Sequence, residues 1–225
     1  MNAPISRRRL LQAAGFLSLS FGIPLETALS QQPARLPGDL NTTRQLRAWL
    51  RIEADNRVTL LVGKVELGQG ILTAVQQICA DEMDVALEQV HIISGDTALV
   101  PNEGVTAGSF SMPNCATAVR HASAEVRAIL LELASQKLGQ PPNQLRVEQG
   151  VIQAAGGASV RYGDLLIGRA LEREATGQVP LKPLAEHRYM GRAVPRPDIR
   201  DKVLGKSIFV QEMRVPGIDR KSTRL

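Results

Sequence analysis

The chain has 225 residues, which allows one or two domains at about 100 to 200 residues per domain. Hydrophobic residues make up 44% and charged residues 22%, a composition typical of a globular protein and not of a disordered or collagen-like one. Aromatic residues reach only 3%, which leaves few side chains to stack on bases. Of the charged residues, Arg7, Arg8, Arg9 and Glu26 lie in the first thirty positions, and the rest of the chain has a net charge of 24 − 21 = +3. Nucleic acid is therefore not an expected partner.

The first thirty residues are predicted to be a targeting signal. Residues 6–12 read Ser-Arg-Arg-Arg-Leu-Leu-Gln, and a weakly hydrophobic run at 13–23 and the small-residue site Ala28-Leu29-Ser30 follow. This layout resembles a bacterial twin-arginine signal, which leads to the periplasm; an amphipathic helix with a chance arginine run is the alternative. The apolar run is well short of the roughly 20 residues that span a bilayer. Because the twin-arginine route exports folded proteins, a cofactor loaded before export is expected.

The hydrophobic pattern of the remaining chain predicts a mixed α/β fold. Alternating apolar residues predict strands at 47–54, 57–63, 89–94, 144–148, 151–154 and 158–162. Asp55-Asn56 is a favourable two-residue turn for a hairpin between the first two strands. Apolar residues at spacings of three and four predict helices at 71–85, from a cap at Asn114 to Gly139, and at 164–174.

These elements suggest a domain organisation. Residues 31–44, rich in Gln and Pro, are expected to be a linker, and 45–175 a single α/β domain. Residues 176–204 contain several glycines and prolines with little periodicity, which is typical of an extended connector. A last predicted strand at 207–214 has no later partner in the sequence, so 205–225 is expected to begin a second, truncated domain.

Two glycine-rich loops are the candidate site. In Lys64-Val65-Glu66-Leu67-Gly68-Gln69-Gly70, the glycines let a backbone approach a ligand, Gln69 offers a donor and an acceptor, and the next helix directs its first amides to the same place. This pattern alone is also compatible with an ordinary turn. A second loop, 95–113, contains Thr106-Ala107-Gly108-Ser109 and also leads into a helix. Two such loops in one α/β unit favour a phosphate or pyrophosphate site.

These segments resemble the molybdopterin-binding large subunits of the xanthine dehydrogenase and aldehyde oxidoreductase family. The resemblance covers about residues 45–218 and is carried by Gly63 to Thr73, Gln76 to Glu82, Gly95-Asp96-Thr97 and Thr106 to Ser109. It is strongest to the exported type that includes the beta chains of isoquinoline 1-oxidoreductases and the B chains of nicotinate dehydrogenases. In that type the stretch that resembles Gly205 to Gly217 follows the Gly-Gln-Gly region instead of preceding it.

The resemblance implies a molybdenum hydroxylase that binds molybdopterin cytosine dinucleotide and oxidises an aldehyde or N-heteroaromatic small molecule. By position, the implied cofactor-binding residues are Gly68, Gln69, Gly70, Thr73, Gly108 and Ser109, with Thr106 and Ser111 as weaker candidates. The implied partner is a small iron–sulfur subunit that carries a [2Fe–2S] cluster, and a cytochrome is a candidate electron acceptor. The alternative function is an exported, non-catalytic α/β protein that binds an anionic ligand.

The sequence also departs from the family pattern. Family members are several times longer, and the resemblance stops at about Asp219, so we expect an N-terminal fragment that lacks the segment with the glutamate base. No catalytic residue is therefore assigned. Cys115 stands where family members often have glycine, which leaves the path of the second loop open.

The cysteines and histidines are not expected to bind a metal. Cys79 and Cys115 are too few to hold a [2Fe–2S] cluster. Cys79 lies on an apolar helix stripe and is expected to be a buried thiol, with a disulfide to Cys115 left open. His91, His121 and His187 are 30 and 66 residues apart, without ligands at metal-binding spacing, and are expected to be structural.

Overall fold

The computed structural model describes residues 35–166, 171–206 and 216–217. The predicted signal at 1–30 and the predicted strand at 207–214 lie outside these residues. The chain divides into the units Met1–Arg35 and Leu36–Leu225, and all elements described below belong to the second unit.

A three-stranded sheet and one crossover helix form the first part of the domain. The strands are β1 (Leu50–Ile52), β2 (Val58–Val62) and β3 (Val90–Ser94), in the order β1-β2-β3. β1 is antiparallel to β2, whereas β3 is parallel to it, and helix α1 (Ile71–Met83) makes the connection between β2 and β3. All five residues of the central strand β2 are buried. This β-α-β unit confirms the predicted mixed α/β class.

The hairpin between β1 and β2 differs from the prediction in one residue. The amide of Glu53 donates to the carbonyl of Arg57 and the amide of Asn56 to the carbonyl of Glu53, each at 2.9 Å. The loop therefore has three residues, 54–56, and Asn56 takes the left-handed conformation with φ 72°. Asparagine tolerates that conformation better than most residues because its short side chain bonds locally. β1 is also shorter than predicted, since Leu46–Ala48 form a 3₁₀ turn.

The second long helix, α2 (Thr117–Leu138), packs against α1. It is preceded by the π-helical turn Ser111–Ala116, so the prediction that Asn114 caps the helix is wrong: Asn114 lies inside the turn. The predicted end is confirmed, because Gly139 ends the helix at φ 68°. The core around the two helices includes Val75, Cys79, Met83, Val119, Ala122, Val126 and Leu130.

A second sheet is an antiparallel meander of β4 (Arg146–Glu148), β5 (Val151–Gln153) and β6 (Ser159–Arg161). The helix predicted at 164–174 is wrong, because helix α3 covers only Tyr162–Leu165. Residues 171–175 are not helical, and residues 173–175 pair with the chain before β1. The amide of Leu46 donates to the carbonyl of Arg173 at 3.0 Å, and the amide of Ala175 to the carbonyl of Arg44 at 2.8 Å.

Segments outside the two sheets also contribute to the core. Leu36 and Leu40, in the part of the sequence expected to be a linker, are buried with Trp49, whose indole Nε1 donates to the carbonyl of Thr43 at 2.9 Å. Between residues 176 and 206, which the structure describes, regular structure is limited to the 3₁₀ turn Leu184–Glu186 and the short helix α4 (Ile199–Val203).

Within the described part of the chain, no helix combines the length and the apolar character needed to cross a membrane.

Candidate functional site

The Gly-Gln-Gly loop, residues 63–70, connects the end of β2 to the start of α1. Loops at the carboxyl ends of parallel strands are the usual place for ligands in α/β folds. Gly68 and Gly70 have φ values of 107° and 81°, which a residue with a side chain rarely adopts. A Cβ atom added to either glycine would meet nothing within 4 Å, so both glycines border open space. A ligand can therefore reach the loop backbone.

The carboxylate of Glu66 holds the amides at the start of α1. Its oxygens accept hydrogen bonds from the amides of Gly68 at 2.7 Å, Gly70 at 2.9 Å and Leu72 at 3.4 Å. The glutamate side chain is 8% exposed. The glycine pattern predicted a phosphate at these amides; in the structure the negative charge that they bind is supplied by the protein itself. A signal for this role was present, since an acidic residue just before a helix start favours such a contact.

Gln69 lies just before α1, and Thr73 lies in its first turn. Gln69 is exposed; its Oε1 accepts the amide of Leu67 at 2.6 Å and its Nε2 donates to the carbonyl of Val65 at 3.0 Å. Oγ1 of Thr73 is buried without a hydrogen-bond partner among the described residues. Gln69 thus offers its amide to solvent, whereas the hydroxyl of Thr73 is buried and unsatisfied.

The second loop, residues 95–110, places Gly108 and Ser109 before the π-helical turn. Both are left-handed, with φ values of 62° and 59°, and both are exposed. A left-handed serine costs backbone energy, of order 1–3 kcal/mol, and such strain is common at functional sites. A Cβ at Gly108 would lie 2.8 Å from the exposed Phe110 ring, so a side chain at this position would displace the ring from its present place. Ser111 is half-buried at the first position of the π-helical turn.

The two loops are joined at their bases. The amide of Val65 donates to Oγ1 of Thr106 at 3.0 Å, and the buried ammonium of Lys64 donates to the carbonyl of Val105 at 2.9 Å and to that of Glu103. The carboxylate of Glu103 accepts the amide of Gly63 at 2.5 Å. The structure thus brings together the two segments that the sequence analysis selected. Thr106 makes one of the contacts between the loops. Lys64 and Glu103 make the others, which the sequence patterns did not predict.

Buried acidic groups lie below the junction of the loops. Glu103 is 8% exposed, and burial raises the pKa of its carboxyl to about 7, against hydrogen bonds from the Cys115 thiol and the Gly63 amide that lower it. Asp39 also faces Glu103 and contributes to the raised pKa. One oxygen of each carboxyl, Oδ2 of Asp39 and Oε1 of Glu103, is buried without a partner among the described residues. Burial is the main cause of the raised pKa of the Cys115 thiol, and the charge of Glu103 raises this pKa further.

Arg196 reaches the Gly-Gln-Gly loop from a distant part of the sequence. Its Nη1 donates to the carbonyl of Gly68 at 3.3 Å, and its Nη2 lies 3.5 Å from a carboxylate oxygen of Glu66. Asp198 holds the same guanidinium through two hydrogen bonds, of 3.0 Å from Nε and 2.7 Å from Nη2. Sequence reasoning missed this residue because it lies in a segment without periodicity.

The cysteines are buried free thiols, Cys79 as predicted, and no disulfide joins them. Burial raises the pKa of Cys79 to about 12. His187 Nε2 lies 3.5 Å from Arg120 and 3.3 Å from the carbonyl of Lys182, and His91 is exposed on β3. Burial is the main cause of the lowered pKa of His121. In the part of the chain that is described, no three His, Cys, Asp or Glu residues are arranged to hold a metal ion.

Comparison with known proteins identifies the family. Residues 12–193 match the family model of the molybdopterin cofactor-binding domain. The chain belongs to this family, which confirms the relationship predicted from the loop motifs.

Three relatives are similar over most of this chain. The B chain of nicotinate dehydrogenase from Pseudomonas putida is 36% identical over 175 residues, which is 78% of this chain and 15% of that protein. Membrane-bound aldehyde dehydrogenase [pyrroloquinoline-quinone] from Gluconacetobacter polyoxogenes is 30% identical, over 96% of this chain and 29% of its own length. The beta chain of isoquinoline 1-oxidoreductase from Brevundimonas diminuta is 25% identical, over 95% of this chain and 32% of its own length. The chain therefore spans less than a third of the length of these relatives.

Proposed function

We propose that this chain is the cofactor-binding part of a molybdenum hydroxylase large subunit that oxidises an aldehyde or an N-heteroaromatic compound. The proposal includes molybdopterin cytosine dinucleotide as the cofactor, a partner subunit with a [2Fe–2S] cluster and export to the periplasm. The observation that carries it is the junction of two glycine loops, through Lys64, Val65 and Thr106, in a chain that belongs to the molybdopterin cofactor-binding domain family. The names of the relatives, a nicotinate dehydrogenase, an aldehyde dehydrogenase and an isoquinoline oxidoreductase, support the substrate classes.

The surface of the two loops fits a planar heterocycle that carries polar edges. Exposed apolar side chains flank the glycines and can contact the flat faces of such a ring; they are Val65, Leu67, Val105, Phe110 and Met112. Gln69 and Ser109 are exposed beside them and can bond the polar edges. Because Glu66 already accepts three amides at the start of α1, we assign no phosphate contact to those amides.

Each predicted residue then has a limited task. When bound, the cofactor supplies the two-electron redox chemistry that oxidises the substrate carbon. Gly68 and Gly70 let it approach the backbone, and Gln69 and Ser109 orient it by hydrogen bonds. The hydroxyl of Thr73, the remaining predicted residue, is buried without a partner among the described residues, so a bond from it to the cofactor requires the first turn of α1 to move. Glu66 and Glu103 keep the two loops in shape through the amides that they accept.

The test is the cofactor content of the full-length protein, purified together with its partner subunits. We expect about one molybdenum per chain, and release of cytidine monophosphate after acid hydrolysis of the cofactor. Molybdenum without a cytidine nucleotide would contradict the dinucleotide form alone. Because one relative is named for pyrroloquinoline-quinone, the released material is also assayed for that quinone. A quinone in place of molybdenum, or neither of them, would overturn the proposed function, and the second result would favour the non-catalytic alternative.

A further inference from the structure

One segment, which we call the strap (residues 182–198), follows helix α1 from its end back to its start. Near the end of α1, the amide of Lys182 donates to Glu82 at 3.2 Å. In the middle of the helix, Nε2 of Gln77 donates to the carbonyls of Tyr189 at 2.6 Å and Arg192 at 2.9 Å. At the start of α1, Arg196 reaches the carbonyl of Gly68. The strap is therefore fastened to the helix at one end and to the Gly-Gln-Gly loop at the other.

The fastening near the end of α1 is built from buried carboxylates. Asp81 is 1% exposed, and its two oxygens accept the amides of Arg188, Tyr189 and Met190 at 2.7 to 3.2 Å. Glu82 is fully buried and pairs with Arg120 at 2.8 Å. Hydrogen bonds to buried charges are stronger than those between neutral groups, so the course of the strap is well defined along the end of α1, before the strap continues towards the loop.

The guanidinium of Arg196 is held in a fixed orientation. Asp198 accepts from two of its nitrogens, and Asp198 is itself held by Lys202 at 2.5 Å. The hydrogen bonds from Arg196 are the main reason that the pKa of Asp198 is lowered, so the carboxylate stays charged. A planar guanidinium fork held in this way loses less conformational freedom on binding than a lysine ammonium does.

The carbonyl that Arg196 binds belongs to the peptide that joins Gly68 to Gln69. A bond to this oxygen sets the orientation of that peptide, and with it the direction in which Gln69 leaves the backbone. Two left-handed glycines would otherwise leave this part of the loop free to adopt several conformations. Arg196 also faces Glu66, whose carboxylate holds the amides of the same turn.

We propose that Arg196 is the positioning residue of the Gly-Gln-Gly loop: its guanidinium holds the Gly68 carbonyl and the Glu66 carboxylate together and so fixes the loop in the conformation that receives the cofactor. The part of this inference that concerns the cofactor rests on the proposed function. The part that concerns the loop does not.

The loop is tested by hydrogen–deuterium exchange of the peptide 66–73 in full-length protein from cells grown without molybdate. Arg196→Ala is expected to raise the exchange rate of this peptide about tenfold, the effect of losing one hydrogen bond from a charged group. Arg200→Ala is the matched control, because Arg200 is an exposed arginine on α4. Arg196→Lys, which keeps the charge but loses the fork, should show a smaller increase, and it takes the place of the alanine variant if that one does not fold.

A rescue experiment separates positioning from a general loss of structure. Millimolar guanidinium chloride, far below denaturing concentrations, should restore the protection of peptide 66–73 in Arg196→Ala, whereas potassium chloride at the same concentration should not. Equal exchange in Arg196→Ala and wild type, the same increase in Arg200→Ala, or faster exchange that guanidinium does not reverse would each overturn the proposal.

The link to the cofactor is read from metal content in molybdate-grown cells. Arg196→Ala should carry several-fold less molybdenum than the Arg200→Ala control, and unchanged metal content would overturn this half of the inference. Absence of molybdenum from the wild-type protein would instead overturn the proposed function, while the exchange result for the loop would stand.

Discussion

Glu66 gives the Gly-Gln-Gly loop its shape. A carboxylate near the start of a helix stabilises it by about 0.3–1 kcal/mol when exposed, and by up to about 2 kcal/mol when partly buried. Glu66 is nearly buried and accepts three amides of this turn, so it belongs to the stronger group. Because like charges repel, a pyrophosphate has little to gain at the same amides. The hydrogen bonds that select a cofactor then fall to side chains, of which Gln69 and Ser109 are exposed.

We expect Gln69→Ala to lower the molybdenum content of the full-length protein while the fold stays intact. The variant loses an amide that can both donate and accept, which costs on the order of 1–3 kcal/mol of binding. Gln136→Ala is the control, because Gln136 is an exposed glutamine on α2. Metal content is measured by mass spectrometry and the fold by circular dichroism. Full molybdenum content in Gln69→Ala would remove this residue from the site, and Ser109→Ala would be the next test.

Glu103 should make stability depend on pH in the neutral range. Its pKa is raised in the folded protein, from an ordinary 4.5 to about 7, so the folded state binds the proton more tightly than the unfolded state. The stabilisation is fully present below about pH 4.5 and is lost as the pH rises through about 7. Glu103→Gln mimics the protonated form and should remove this loss. As the pH rises from 5 to 8, the denaturant concentration at the unfolding midpoint should therefore fall more for the wild type than for the variant. Carboxyls with ordinary pKa values no longer titrate in this range.

The exposed Glu88→Gln serves as the control for Glu103→Gln, because it removes one carboxylate without touching the buried cluster. Its curve should run parallel to that of the wild type from pH 5 to pH 8. Parallel curves for Glu103→Gln and wild type would show instead that Glu103 titrates in its ordinary range.

At the level of elements, α1 connects the two parts of the described domain that matter for the site. Its first turn continues from the Gly-Gln-Gly loop, and its last turn carries Asp81, which binds the strap. The segment Gln76 to Glu82, which contributed to the family resemblance, thus has a structural use: Gln77, Asp81 and Glu82 all bind the strap. A family motif on a helix need not touch a ligand.

Asp81→Asn should lower the free energy of unfolding by about 1.5–3 kcal/mol, the range for hydrogen bonds to charged groups. An asparagine keeps one acceptor oxygen but presents an NH₂ group to one of the amides that Asp81 now accepts. Peptide 182–192 should also exchange faster. The control is Asp55→Asn, an exposed aspartate in the β1–β2 hairpin, which should change stability by less than about 0.5 kcal/mol. Equal stabilities of the Asp81→Asn and Asp55→Asn proteins would contradict the role of Asp81 as an anchor.

The sequence predicts elements well where apolar spacing decides, and fails where distant backbone groups decide. The stripe at 71–85 gives α1, which ends at Met83 because Asp84 turns left-handed at φ 53°. The pattern at 164–174 is equally helical, yet residues 173–175 pair with residues 44–46 through backbone hydrogen bonds that no local pattern contains. Asn114 fails for a related reason, because the helix begins as a π-turn three residues earlier.

In the candidate site, too, the sequence predicts the features that depend on local residue type and misses those that depend on distant contacts. The two loops and their glycines follow from residue type and from their place before a helix. Arg196, 128 residues from Gly68, could not be assigned from the sequence because the strap has no periodicity and is placed by buried carboxylates on α1. Glu103 is similar: its place between Gly63 and Asp39 depends on how the second loop returns to the core.

At the scale of the whole molecule, assembly of the site depends on long-range contacts. The Gly-Gln-Gly loop depends on the second loop through Thr106 and on the strap through Arg196. The loop is therefore bonded to two segments that lie far from it in the sequence, in addition to the hydrogen bonds that it forms internally. Contacts from distant parts of the sequence therefore support the loop that we propose to receive the cofactor.

The export prediction is tested on residues 6–12, which lie outside the described part of the chain. Replacing Arg7 and Arg8 together by lysine keeps both charges but removes the paired guanidinium groups, and lysine cannot replace arginine where a planar fork is recognised. We expect this variant to stay in the cytoplasm, whereas Arg9→Lys, which leaves the pair intact, should still reach the periplasm. Cell fractionation with immunodetection measures the periplasmic fraction of each protein, with a cytoplasmic marker enzyme to exclude lysis. Equal periplasmic recovery of the double variant and the Arg9→Lys control would rule out the twin-arginine route.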